Sequence, residues 1–106
     1  LWQGVSGINN PCPTGYRIPT EAEWAAERAS WTSSNAAGAF GSPLKLPVAG
    51  QRVIVDGTLA NVGSVGNLWT STVDGTSSRG VGFASFYSFM GTSSRALGLS
   101  VRCIQD

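Results

Sequence analysis

Tyr16-Arg17-Ile18-Pro19-Thr20-Glu21-Ala22-Glu23-Trp24 carries the strongest local instruction in this chain. Tyr16-Arg17-Ile18 is a short extended piece, and Pro19 keeps the residue before it out of the helical region. Thr20 can then cap the free amides of a helix start, while Glu23, three residues on, returns the hydrogen bond. The pattern predicts a helix from Glu21 to about Ser30, rich in alanine and carrying three glutamates near its positive end. Trp24 and Trp31 lie seven residues apart, so they share one face, which is expected to be the buried one.

Outward from this helix the signals change. Upstream, Asn9-Asn10-Pro11-Cys12-Pro13-Thr14-Gly15 reads as consecutive turns. Downstream, residues 32–44 hold no lasting period and are expected to form an ordered loop. Leu44-Lys45-Leu46-Pro47-Val48 is a short extended stretch whose proline favours an edge. Arg52-Val53-Ile54-Val55 before Asp56-Gly57 suggests a strand entering a tight turn. Leu68 to Val73 is a strong strand by its β-branched and aromatic content, and Asp74-Gly75 turns again. Arg79 to Phe86 alternates, as does Leu99 to Ile104, where Leu99, Val101 and Cys103 would share one face. One capped helix followed by short strands and glycine-rich loops implies a small α+β domain.

Composition narrows the function classes. Only 12% of the 106 residues are charged, against about 25% in ordinary soluble domains. Seven basic and six acidic residues give a formal charge of +1, and histidine is absent. Scattered arginines supply no basic stripe for a phosphate backbone, so nucleic acid is not an expected partner. Without histidine there is no imidazole base and no His-ligated metal. Apolar runs are a few residues long, too short for this segment to insert in a membrane. With 42% hydrophobic residues and four tryptophans the chain is not expected to be disordered. Its Leu1-Trp2-Gln3-Gly4 opening has neither an initiator Met nor a signal pattern, so it reads as the C-terminal domain of something longer.

Cys12 and Cys103 are either two buried thiols or one disulfide closing nearly the whole chain. A small domain with so few charges gains from such a staple, so the disulfide is expected. It implies an extracellular, cell-surface or virion-displayed setting.

Three blocks in order carry a resemblance that spans essentially the whole chain. They are Asn9 to Trp24, Leu68-Trp69-Thr70-Ser71-Thr72 and Gly98-Leu99-Ser100-Val101-Arg102-Cys103. Together they resemble bacterial and phage C-type lectin-like domains, including the Fibrobacter major paralogous domain, and especially variable proteins of diversity-generating retroelements. The resemblance implies a C-type lectin-like fold: a twisted, mostly antiparallel sheet with adjacent terminal strands, one or two helices and extensive ordered loops. It also implies that Cys12 and Cys103 come close together. The Gly15 to Trp24 run is similar to formylglycine-generating enzymes, which share the fold. Those enzymes use a redox-active cysteine pair on neighbouring segments, whereas both cysteines here sit at framework positions. Sugar-binding C-type lectins hold calcium through clustered oxygens. Trp69-Thr70-Ser71 has no acidic neighbour at the matching tryptophan, so no cofactor or metal ligand is assigned. Backbone carbonyls remain able to hold a structural calcium ion.

In the retroelement family the last third of the domain is diversified, here about residues 68–97. Laid on that pattern, Arg79, Val81, Phe83, Ser85, Met90, Arg95, Ala96 and Gly98 form the fixed frame. Ser77, Gly80, Gly82, Ala84, Phe86, Tyr87, Phe89, Gly91, Thr92, Ser93, Ser94 and Leu97 are the variable, ligand-binding positions. Val65, Leu68 and Asp74 are further variable or rim positions. None of the twelve is Lys, Gln, Glu, Met or Trp, the types that replacing both adenines of an Asn codon cannot yield. Gly80, Gly82, Ala84 and Phe86 alternate with Val81, Phe83 and Ser85, so one face can pack while the other is displayed. Phe86, Tyr87 and Phe89 among small residues match the aromatic-plus-small mixture of recognition surfaces. The expected function is non-enzymatic recognition of a macromolecular partner, a protein on a cell or host surface. The rival is an undiversified adhesive or structural module of a bacterial surface protein.

Overall fold

A computed structural model describes Val5, Ser6 and residues 9–105, which excludes the Leu1-Trp2-Gln3-Gly4 opening. Along the chain run β1 (Tyr16–Arg17), α1 (Glu21–Ala29), α2 (Ala36–Gly41), β2 (Gln51–Arg52) and β3 (Leu59–Ala60). They are followed by β4 (Val65–Asp74), β5 (Ser77–Ala84), β6 (Ser88–Ser93) and β7 (Ile104–Gln105). The arrangement is α+β, with an antiparallel sheet in the order β4-β5-β6 and two small antiparallel pairs, β1-β7 and β2-β3.

The capping box forms as the sequence predicts. Glu23 N–H donates to Thr20 Oγ1 at 3.3 Å, and Thr20 N–H donates to Glu23 Oε1 at 2.8 Å. The Glu23 carboxylate also takes a two-pronged bond from Arg17, at 2.6 and 2.8 Å, which ties α1 to β1. The Arg17 guanidinium, with the Thr20 amide, lowers the Glu23 carboxyl from its ordinary 4.5 to about 2.

A bulge in β4 docks the helix start onto the sheet. The β4–β5 register shifts between Trp69 and Val73. Within that interval Ser71 N–H donates to the Pro19 carbonyl, and Thr72 Oγ1 accepts from the Glu21 amide. The buried Thr70 hydroxyl donates to the Arg79 carbonyl. The buried Ser71 hydroxyl donates to the Pro19 carbonyl, so both buried hydroxyls are paired, as burial demands. Glu21 and Arg79 complete the joint with a 2.7 Å ion pair, which raises the guanidinium above its ordinary range.

One face of the sheet carries the core. Leu68, Val81 and Phe83 pack with Trp24, Trp31, Ala39 and Leu46. Phe83 is wholly buried and meets Trp31 edge-on at 5.7 Å. It lies over its cross-strand partner Gly66, where any Cβ would collide with its ring. Both tryptophans of α1 and its exit are buried, as their spacing predicts.

Four local expectations need correction. Residues 32–44 contain the short helix α2, because Asn35 caps it by accepting from the Gly38 amide. Its glycines hide the helical period, yet Gly38 is required there, since a Cβ would run into the Ser33 carbonyl. Leu44 to Val48 forms no strand, because Lys45 takes a left-handed φ of 52°. The strand over 52–55 stops at Arg52: Gly57 N–H donates to the Val53 carbonyl and Asp56 accepts from Thr58, folding Ile54 and Val55 into a turn. Leu99 to Ile104 is not one continuous strand. Gly98 bridges Arg52, Ser100 bridges Leu68, and only Ile104–Gln105 pairs as a strand, leaving Val101 exposed.

The first and last strands close on each other. Tyr16 pairs with Gln105 and Arg17 with Ile104, while Cys12 and Cys103 form a disulfide with Cα atoms 5.9 Å apart. The bond spans a sequence separation of 91. By loop-closure entropy, its reduction should lower unfolding free energy by about 4 to 5 kcal/mol. Urea titrations of the oxidised and reduced protein measure this, and an unchanged midpoint contradicts it.

A second prediction concerns acid. The depressed Glu23 carboxyl contributes stability that is complete above pH 4.5 and lost as pH falls toward 2. Glu23→Gln should therefore flatten that part of the stability–pH curve, followed by urea unfolding at each pH. Equal slopes for both proteins in that window refute the assignment.

Candidate recognition surface

The last third of the domain folds as the β5–β6 hairpin. Register runs unbroken from Ser78↔Ser93 to Phe83↔Ser88, and Ala84 N–H donates to the Tyr87 carbonyl at the closed end. Ser85, Phe86 and Tyr87 form the connection. Because Val65 pairs with Ala84, the 61–64 turn before β4 leaves the sheet at this same end.

All three aromatics are exposed: Phe86 at 94%, Tyr87 at 54% and Phe89 at 40%. Tyr87 and Phe89 are two residues apart, hence on one side of the chain, and their rings stand 5.9 Å apart at a 30° tilt. Val62, in the neighbouring turn, is also exposed. No Asp, Glu, Lys or Arg occurs between Arg79 and Arg95, so the hairpin end is uncharged. Apolar contact area held on a sheet suits it to shape-based recognition.

The face opposite the core is not bare. Gly80, Gly82 and Ala84 do point away from Val81 and Phe83, but all three are buried. Phe89 lies over Gly82, its direct cross-strand partner, and a Cβ there would collide with the ring and stand 2.9 Å from Asn67 Oδ1. Gly80 has Leu99 and the buried Trp69 beside it. Gly82 therefore forms the floor beneath Phe89, whereas Gly80 is covered by Leu99 and Trp69. Ser85, expected in the packed frame, is exposed because β5 ends at Ala84.

The remaining positions lie elsewhere. Gly91 adjoins Phe89, its Cβ position 3.5 Å from that ring. Thr92 is on the core side of β6, where its hydroxyl accepts from Arg79 and donates to Asp74, each at 2.8 Å. Ser93 pairs with Ser78, and Ser77 begins β5 opposite Asp74. Ser94 accepts from the Ala96 amide, and Leu97 is half-buried. Phe89 and Ser94 are about 17 Å apart by strand rise. The twelve positions thus divide into an aromatic end built on Gly82, Ala84 and Gly91, and a distant polar end.

Sequence reasoning missed several neighbours. Asn67 flanks Gly82, and its amide reaches Gln51 Oε1 at 3.4 Å. Ile54, Val55 and Leu59 project from the β2–β3 arm. Only tertiary placement brings out these residues, since their local pattern is that of ordinary strands. Arg95 donates to the Gly75 and Ser77 carbonyls, and Arg102 to the Leu44 carbonyl, so both tie down loops.

A groove of about 440 Å³ lies on the other side, between α1 and Arg102, Cys103 and Ile104. Its carboxylates are already engaged: Glu23 by Arg17, and Glu27 by the Trp31 indole at 2.9 Å. Trp24 also lines the groove, and its buried Nε1 has no acceptor among the described residues. Among the described residues no group of three or more His, Cys, Asp or Glu side chains could hold a metal ion, and no helix is long and apolar enough to cross a membrane. No protein family, curated protein or solved structure matches the chain.

The two aromatic–glycine pairs should respond differently to a methyl group. Gly66→Ala meets Phe83, which has nowhere to go, whereas Gly82→Ala meets Phe89, which can swing into solvent. Overpacking costs about 1 to 3 kcal/mol. Gly66→Ala should fall at or above the top of that range and Gly82→Ala near its bottom, by thermal denaturation. The reverse order refutes this account.

Proposed function

We propose that this domain is a non-enzymatic recognition module with a C-type lectin-like fold, a variable protein of the retroelement type. It binds a macromolecular partner, a protein, through Phe86, Tyr87 and Phe89, and is displayed at a cell or virion surface. The observation that carries the reading is the exposure of all three aromatics on an uncharged hairpin end. The Cys12–Cys103 bond supports an oxidising, external setting. It also engages the only two cysteines, which weighs against formylglycine-generating chemistry at a cysteine pair.

Thr92 favours the rival, undiversified module at one point. Its hydroxyl bridges Arg79 and Asp74, so free variation there would break the contact that joins β4, β5 and β6 at this end. A reverse transcriptase gene and an adenine-rich near-copy of the last third beside the coding locus would support diversification; their absence would favour the rival.

Replacing Phe86, Tyr87 and Phe89 together by Ser tests the site. Exposed positions tolerate such changes, so stability should fall by no more than about 1 kcal/mol. Binding to an array of bacterial and host extracellular proteins should be lost. Binding that survives the triple change, or collapse of the fold, refutes the assignment.

A further inference from the structure

Among the described residues the outer edge of β6 is open. β6 pairs only with β5, and no described residue bonds along its other side. In an antiparallel ladder, bonded and non-bonded pairs alternate. The Ala84–Tyr87 bond sets the phase, so Tyr87, Phe89, Gly91 and Ser93 face inward to β5. The amides and carbonyls of Ser88, Met90 and Thr92 consequently point outward.

Sheet proteins normally blunt such an edge with lysine, other charges, proline or a bulge. Ser88-Phe89-Met90-Gly91-Thr92-Ser93 contains no charged residue and no proline, and its register with β5 is unbroken. The side-chain hydroxyls of Ser88 and Thr92 are already engaged, by Ser34 and by Arg79 with Asp74. Among the described residues, the outward backbone groups of Ser88, Met90 and Thr92 have no partner.

We propose that this edge pairs with the same edge of a second copy of the chain, antiparallel and about a two-fold axis at Met90. The strand is complementary to itself in one register. Met90 then faces Met90 of the second copy, and Ser88 faces Thr92, so every outward amide and carbonyl gains a partner. Phe89 faces Gly91 of the second copy, which presents no side chain to it, so the ring keeps its place on Gly82. Shifting the register by two residues leaves outward groups unpaired and sets Phe89 against Phe89 or Gly91 against Gly91. The chosen register instead sets an aromatic opposite a glycine, the pairing found at Phe83–Gly66 and Phe89–Gly82. The two three-stranded sheets join into one of six strands, with Phe89 of both copies on one face and the two closed hairpin ends at opposite ends of the seam, and the contact is isologous and closed. This association does not depend on the recognition reading.

Amide exchange on the wild-type protein, together with sedimentation equilibrium, tests the proposal. At low concentration the Ser88, Met90 and Thr92 amides should exchange rapidly, while Phe89 and Gly91 stay protected by β5. With rising concentration a dimer should appear, and the three outward amides should become protected in step with it. Gly91→Lys puts a charge opposite Phe89 and another diagonally across the axis, without removing a bond to β5. It should weaken dimerisation by about tenfold or more. Mixing Gly91→Lys with Gly91→Glu should restore association. A monomer at every concentration overturns the proposal, as does a dimer that leaves Met90 exchange unchanged. Protection that follows an added foreign peptide while the protein stays monomeric assigns the edge to a heterologous strand and also overturns it.

Discussion

Phe83 reaches the centre of this fold across a position that has no side chain. Its ring lies over Gly66, meets Trp31 edge-on and is fully buried, so it joins the middle strand to the helical side of the core. With a Cβ at position 66 the ring could not lie down, and the contact with Trp31 would be lost. The sheet repeats this device on its other face, where Phe89 covers Gly82. The difference lies in what comes next. Phe83 is covered by Trp31 and its neighbours, whereas Phe89 keeps a solvent-facing side beside Tyr87. One kind of cross-strand pair therefore serves as core on one face and as exposed apolar surface on the other.

A chain with so little charge places its ion pairs with economy. Two of its six acidic residues, Glu21 and Glu23, stand in the first turn of α1, and each engages an arginine of a different strand. The helix N-terminus is thereby tied to both β1 and β5. Exposed ion pairs contribute little, but these are half-buried and share their atoms with the helix cap or with β6 through Thr92. Their role is to orient α1 against the bulged part of β4.

The helix was legible because its signal is local: Thr20 and Glu23 are three residues apart and bond each other. The long strands were legible through β-branched and aromatic content at Leu68 to Val73 and alternation from Arg79. The short elements were not. Asn35 starts α2 with a cap as real as that of Thr20, but Gly38 and Gly41 suppress the pattern that follows it. Val53-Ile54-Val55 has strand composition, yet Asp56 and Thr58 lock it into a turn. At the candidate site, the three aromatics stand exposed as their setting among small residues suggested. Burial of Gly80 and Gly82 was not visible, because alternation says which way a residue points and not what lies over it.

The closure at Cys12 and Cys103 has a mechanical side. The bridge sits beside the β1–β7 pair. Tension applied between residues 12 and 103 passes through a covalent bond and never reaches the β4-β5-β6 sheet. The hairpin that carries Phe86, Tyr87 and Phe89 stays unloaded while such a pull acts on the two ends. A pull between those two residues therefore leaves the exposed aromatics, and the glycine beneath Phe89, in one fixed arrangement.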